Sequence, residues 1–199
     1  IGRTAFTELW NGSSWTEVNN LNTGRNSLAG AGTQTAALGF GGFKGPPNTP
    51  TAETEIWNGT NWTEVNDLNT AKTGSGGSGA TNTAALNFGG GPGAINETEL
   101  WNGTNWTEVN NLNTARSYLS GAGTSTAALG FGGQDSSPAN TAVTETWNGT
   151  NWTQNSDLNV ARRNMGPFGA GTSTAALAFG GQTPSAKTDI TEEWSFSGG

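Results

Sequence analysis

The 199-residue chain has no cysteine and no histidine. That excludes disulfides and thiol chemistry, and removes the commonest metal ligands, so no metal and no cofactor is expected. It leaves the redox compartment open, because a cysteine-free chain is indifferent to it. Charge is sparse: 12% of residues are charged and the net charge is −7. The 8 basic residues are scattered along an acidic chain, which argues against nucleic acid as a partner. No stretch approaches the ~20 apolar residues of a membrane span, so no membrane partner is expected. No secretory leader is recognisable at Ile1, and the numbering is expected to start after processing or inside a larger gene product. Helix is hard to place, because Gly and Asn recur throughout and no apolar 3.6-residue period persists.

What is present is periodic. Sparse charge would suggest disorder if the polar tracts were irregular, but here 9 tryptophans anchor a repeat. The motif Trp57-Asn-Gly-Thr-Asn-Trp62 recurs from Trp10, Trp101 and Trp147, and a broken copy begins at Trp194. The leading tryptophans are 47, 44, 46 and 47 residues apart. Each period carries four strand-like pieces, a to d in chain order. Strand a is small and Gly-rich and follows Arg25, Lys72, Arg116 or Arg162; the four copies end at Gly32, Gly79, Gly123 and Gly171. Strand b is Thr35-Ala-Ala-Leu-Gly-Phe-Gly-Gly42 and its copies. Strand c is Thr-Glu-x-Trp, and strand d starts at Trp15, Trp62, Trp106 or Trp152. Asn-Gly between c and d supplies positive φ for a tight antiparallel hairpin.

Four antiparallel strands per period of this length is the arithmetic of a β-propeller blade. The reading is an all-β chain, 1–199 as a single propeller domain with four repeats. Small residues of strand a crowd the axis, and the Trp side chains of c and d fill the wedge between blades. The order basic residue, small strand, apolar strand ending Gly-Gly, variable loop, Glu-x-aromatic, turn, Trp resembles the kelch repeat over nearly the whole chain. One departure is Trp-Asn (Trp57-Asn58, Trp101-Asn102, Trp147-Asn148) where kelch repeats carry Tyr-Asp. The Trp-Asn-Gly-x-x-Trp-Thr variant is similar to repeat-rich proteins of bacteria and marine phages, several of them resembling virion components. That likeness implies a virion or extracellular location. Some kelch-like propellers are copper oxidases with Tyr, His and Cys ligands. This chain has Tyr118 alone, so that activity does not carry over.

Glu8, Glu55, Glu99, Glu145 and Glu192 could suggest paired catalytic carboxylates. They recur once per repeat, however, and pairing with Arg25, Lys72, Arg116 and Arg162 explains the recurrence better. Those four could instead form a ring for an anionic ligand; bonds to backbone carbonyls or to the Glu residues are preferred. The Asn-x-Ser/Thr sequons at Asn11, Asn58 and Asn61 coincide with the hairpin turn, and turn chemistry accounts for them. Among the copies the turn and strand b barely change, whereas the b–c loops and the start of strand a change completely. In an up-and-down blade both emerge on one face, where loops on a rigid scaffold carry binding. Phe43, Lys44, Asn48, Tyr118, Gln134, Asp135 and Gln182 are the candidate binding residues on that face, for a glycan or protein. Asp135 and Asp189 are the irregular acids near it.

The leading expectation is a non-enzymatic binding or scaffold module with no catalytic residues. Alternatives are a purely structural self-assembling unit and a hydrolase or lyase acting on polysaccharide. The strand count gives 17, one more than four blades need. The N-terminal c–d hairpin, of the same chain (closing four blades) or of a second copy, is expected to complete the last a–b pair, leaving the C-terminal strand at Thr191–Trp194 as the surplus. Two copies exchanging hairpins would make an eight-bladed homodimer.

Overall fold

The computed structural model describes residues 4–166 and 171–196, and every regular element among them is a β-strand. Three four-stranded antiparallel sheets form the middle of the chain. The first joins Ala29–Thr33, Ala36–Phe40, Thr54–Trp57 and Trp62–Val65 in that order. The second joins Gly76–Thr81, Ala84–Phe88, Thr98–Trp101 and Trp106–Val109; the third joins Ser120–Gly123, Ala128–Phe131, Thr144–Trp147 and Trp152–Gln154. These are strands a to d of three consecutive repeats. Before them stands a two-stranded hairpin, Thr7–Trp10 with Trp15–Val18, and after them a last sheet of Ala175–Phe179 with Thr191–Ser195. The fourth strand a, expected to end at Gly171, falls largely outside the described residues.

Local chemistry explains where the strands stop. Strand b ends at Phe40 rather than Gly42, because Gly41 and Gly42 turn to φ +66° and +101°. A Cβ on Gly41 would stand 2.8 Å from the Lys72 carbonyl oxygen, and one on Gly42 2.8 Å from that of Asn26. The pair is therefore glycine for conformation and for close approach of backbone. The c–d turn is wider than a two-residue Asn-Gly hairpin. Trp57 pairs directly with Trp62, leaving four residues between them. Asn58 Oδ1 accepts from the amides of Thr60 and Asn61, both at 2.9 Å, while Gly59 takes φ +92°. The asparagine builds this turn with its side chain, the Asx mechanism, rather than by adopting positive φ itself.

Each sheet buries one face against the next. Phe40 of the first sheet meets Trp106 of the second at 4.9 Å between ring centroids, and Phe88 meets Trp152 of the third at 4.8 Å. These ring contacts add to the area term of burying large apolar groups. The donor strand position also recurs: the indole N–H of Trp62, Trp106 and Trp152 donates to Thr7, Thr54 and Thr98 Oγ1 of the preceding repeat, each at 3.0 Å. The a strands approach backbone to backbone. A Cβ on Gly77 would stand 2.8 Å from Gly30 O, and one on Gly121 2.7 Å from Gly77 O. Gly30, Gly77, Gly121 and Gly171 all line one cavity of about 410 Å³.

The strand expected to be surplus is seated. Thr191–Ser195 pairs with Ala175–Phe179 over five residues, and the Trp194 indole donates to Ser173 O at 3.1 Å. The reason is local: only residues 180–190 separate the two strands in the chain, so the loop to be closed is far shorter than for pairing with the N-terminal hairpin. The hairpin instead packs on the first full sheet, with Asn19 Nδ2 donating to Thr60 O and Asn61 Oδ1.

Candidate functional site

The recurring charged residues form a buried frame between and within sheets. Arg116 Nη2 lies 3.0 Å from Glu145 Oε1, and both side chains are fully buried. Its Nη1 donates to Gly132 O and Val143 O. Arg25 and Arg162 repeat this with Glu55 and Glu192. Lys72 reaches Glu99 at 2.8 Å and Glu97 at 3.6 Å, without the fork that lets arginine hold two carbonyls as well. Burial lowers the Arg116 pKa from its ordinary value, and the Glu145 carboxylate opposes that shift. The other carboxylate oxygen is taken by an asparagine three residues before each basic residue. Asn22, Asn69, Asn113 and Asn159 each donate twice, through backbone and side-chain nitrogens, to Glu55, Glu99, Glu145 and Glu192 Oε2. These asparagines were not among the sequence candidates, although the Leu-Asn-x-x-Arg/Lys spacing recurs four times. Both oxygens of each carboxylate are thus engaged, and the four basic side chains are fully buried.

The variable loops meet elsewhere. The start of each strand a bridges to the loop after its own strand b: Thr73 with Gly91, Ser117 with Gln134, Arg163 with Gln182. In the first repeat the bridge grows into a small sheet of Arg25–Asn26, Phe43–Lys44 and Thr49–Pro50. The residue two past each basic residue is left-handed: Ser27, Gly74, Tyr118 and Asn164 all have φ between 51° and 58°. These four residues are stitched by backbone bonds, Gly74 N to Ser27 O at 3.0 Å, Tyr118 N to Gly74 O at 2.6 Å and Asn164 N to Tyr118 O at 3.0 Å. Left-handed backbone is uncommon for a bulky residue such as tyrosine, and this ladder is what holds Tyr118 there. Its ring is laid over Gly74, where a Cβ would stand 2.6 Å from the ring.

Beside Tyr118 lies a cleft of about 320 Å³. Of the candidate residues it collects Phe43, Tyr118, Gln134 and Asp135, contributed by two different b–c loops and one start of strand a. Thr73, Pro92 and Pro138 complete its walls. Three candidates lie apart from it. Lys44 is ion-paired to Glu53, Asn48 is exposed on its loop, and Gln182 accepts through its backbone oxygen from Asn140 Nδ2 at 2.7 Å. Gln134 Oε1 accepts from Arg163. Asp135 Oδ1 accepts from the Ser137 hydroxyl and from the amides of Ser137 and Ala139. Those bonds, the Ser137 hydroxyl first, hold its carboxyl below the ordinary aspartate range. Thr73 Oγ1 is buried and makes no hydrogen bond in the structure.

Thr73 was missed as a candidate, because a lone threonine in a variable segment carries no motif. No protein-family model matches the chain, and no curated protein matches it.

Proposed function

We propose that the chain is a non-enzymatic binding protein built as a kelch-type β-propeller, with its ligand surface on the b–c loop face. Consecutive four-stranded sheets whose innermost Gly-rich strands share one cavity support the propeller reading. The observation that carries the binding reading is the cleft beside Tyr118. An aromatic face, a carboxylate and an amide converge in it. That mix of one apolar platform with several hydrogen-bonding groups is the chemistry of a small concave ligand site, and it suits the alternating apolar face and hydroxyl rim of an uncharged sugar ring. Among the described residues lining the cleft, Asp135 is the one acid. Glycoside hydrolysis calls for two carboxylates across the scissile bond, so binding is the better reading of this site. A place on a virion or cell exterior goes with it.

The test is binding of the purified chain to an array of neutral oligosaccharides, followed by titration calorimetry on the best binder. Tyr118→Ala and Gln134→Ala should each weaken that binding at least tenfold while leaving the far-ultraviolet spectrum unchanged. Binding unaffected by either substitution, or no binder on the array, overturns the reading, as does turnover of any oligosaccharide.

A further inference from the structure

The large apolar side chains exposed among the described residues are all in the two terminal sheets. Phe6, Trp10 and Trp15 belong to the hairpin and the segment leading into it, and Leu177, Phe179 and Phe196 to the last sheet and its end. The two groups are not equivalent patches. They are the two different halves of the contact that the chain already makes between consecutive sheets.

The register shows this residue by residue. In each interior contact the leading face carries Leu and Phe of strand b and Thr of strand c: Leu38, Phe40 and Thr54 in the first sheet, Leu86, Phe88 and Thr98 in the second. The receiving face carries two Trp, Trp101 with Trp106 and Trp147 with Trp152. In the last sheet the leading face is Leu177, Phe179 and Thr191, with Phe179 paired to Thr191. Leu177 and Phe179 are 40% and 42% exposed. In the hairpin the receiving face is Trp10 and Trp15, 44% and 64% exposed. Its ring pair keeps the interior geometry, 5.5 Å and 45°, the same as Trp57 with Trp62. The opposite faces of both elements are engaged: Thr7 receives the Trp62 indole, and Ala176 and Ala178 are buried in the cluster of Leu129 and Phe131. Among the described residues, no backbone hydrogen bond joins the hairpin to the last sheet of the same chain.

We infer that the last sheet of one chain docks on the hairpin of a second copy, repeating the interior contact between molecules with Thr191–Ser195 left in place. Phe179 then meets the partner copy's Trp15 ring edge-on, as Phe40 meets Trp106, and the Trp15 indole N–H donates to the Thr191 hydroxyl. Such an interface is heterologous, so each copy offers one half at each end. One residue departs from the interior pattern. Glu193 occupies the position of Ile56 and Leu100, placing a carboxylate where the interior contact is apolar and weakening the association.

Light scattering on the 199-residue chain across a micromolar series tests this. The expected mass is twice the 20.3 kDa of one chain, or a larger whole multiple. Phe179→Asp and Trp15→Ala should each give a monomer alone, and an equimolar mixture of the two should give a dimer, because one intact pair of halves remains. Glu193→Leu should tighten association at least tenfold, a gain that a misfolded variant does not produce. A wild-type monomer at 50 μM overturns the inference, whether its ends meet within the chain or stay apart. So does a mixture that stays monomeric, or a Phe179→Asp variant that assembles like wild type.

Discussion

Trp101 and Trp10 open the same motif, Trp-Asn-Gly, yet the first is 1% exposed and the second 44%. Glu99 and Glu8 each sit two residues before these tryptophans. Glu99 is buried with Lys72 and Asn69 on its two oxygens, while Glu8 is exposed. The contrast teaches that the motif carries no stability of its own. A repeat of this kind is a thin sheet, and it becomes a core only when neighbours cover both faces. The three central sheets have those neighbours within the chain; the hairpin and the last sheet each have one.

The contrast can be broken most severely at the buried pairs. Arg116→Met leaves the Glu145 carboxylate uncompensated inside the third sheet and should cost about 3–5 kcal/mol in chemical denaturation. Glu8→Ala, the same strand position at the exposed end, should stay within ~0.5 kcal/mol of wild type. Equal losses from the two would show that the motif, and not its burial, sets the contribution. A smaller effect of opposite sign is expected at Lys72→Arg. The guanidinium can reach the carbonyls of Gly89 and Glu97 as Arg116 reaches those of Gly132 and Val143, a gain of about 1 kcal/mol. A loss there would mean that the second sheet has repacked around lysine.

The last sheet sharpens the comparison by pH. Burial tends to raise the Glu192 pKa, but the Asn159 bonds and the Arg162 charge outweigh it and hold the group below its usual 4.5. A depressed carboxylate contributes stability that is present above its unfolded value and lost as pH falls through the folded one. The protection factors of the amides in Thr191–Ser195, taken against the intrinsic rate at each pH, should therefore fall below pH ~4.5. Protection that is flat through that range would show that Glu192 adds nothing to the end of the chain.

Much of this is legible in the sequence. Strand identity and order followed from the Trp period, from β-formers between Asn-Gly and Gly-Gly punctuation, and from the absence of a helical period. The pairing of Arg25, Lys72, Arg116 and Arg162 with the recurring Glu was readable from recurrence alone. The seat of Thr191–Ser195 was not. Two segments with nearly the same sequence compete for one strand position, and only the path of the chain decides between them. The antiparallel c–d pairing was legible, but the means of turning was not: Asn-Gly fits both a turn with positive φ at the asparagine and an Asx turn, and the side-chain bonds of Asn58 select the latter.

The candidate site divides along the same line. Internal variation pointed to the b–c loops and the start of strand a, since exposed loops escape the packing that keeps strands alike. It could not tell which loop residues face one another. Phe43, Tyr118, Gln134 and Asp135 converge because the backbone ladder from Ser27 to Asn164 sets consecutive repeats side by side. Lys44 leaves the group because Glu53 lies within reach. The sequence by itself determined periodicity, strand order and the buried charged frame, all of which depend on residues close in the chain or repeated along it. The tertiary structure decided which strand completes the last sheet, which faces stay open and which loop residues share a cleft. Those depend on distances between residues of different repeats, which a one-dimensional pattern leaves free.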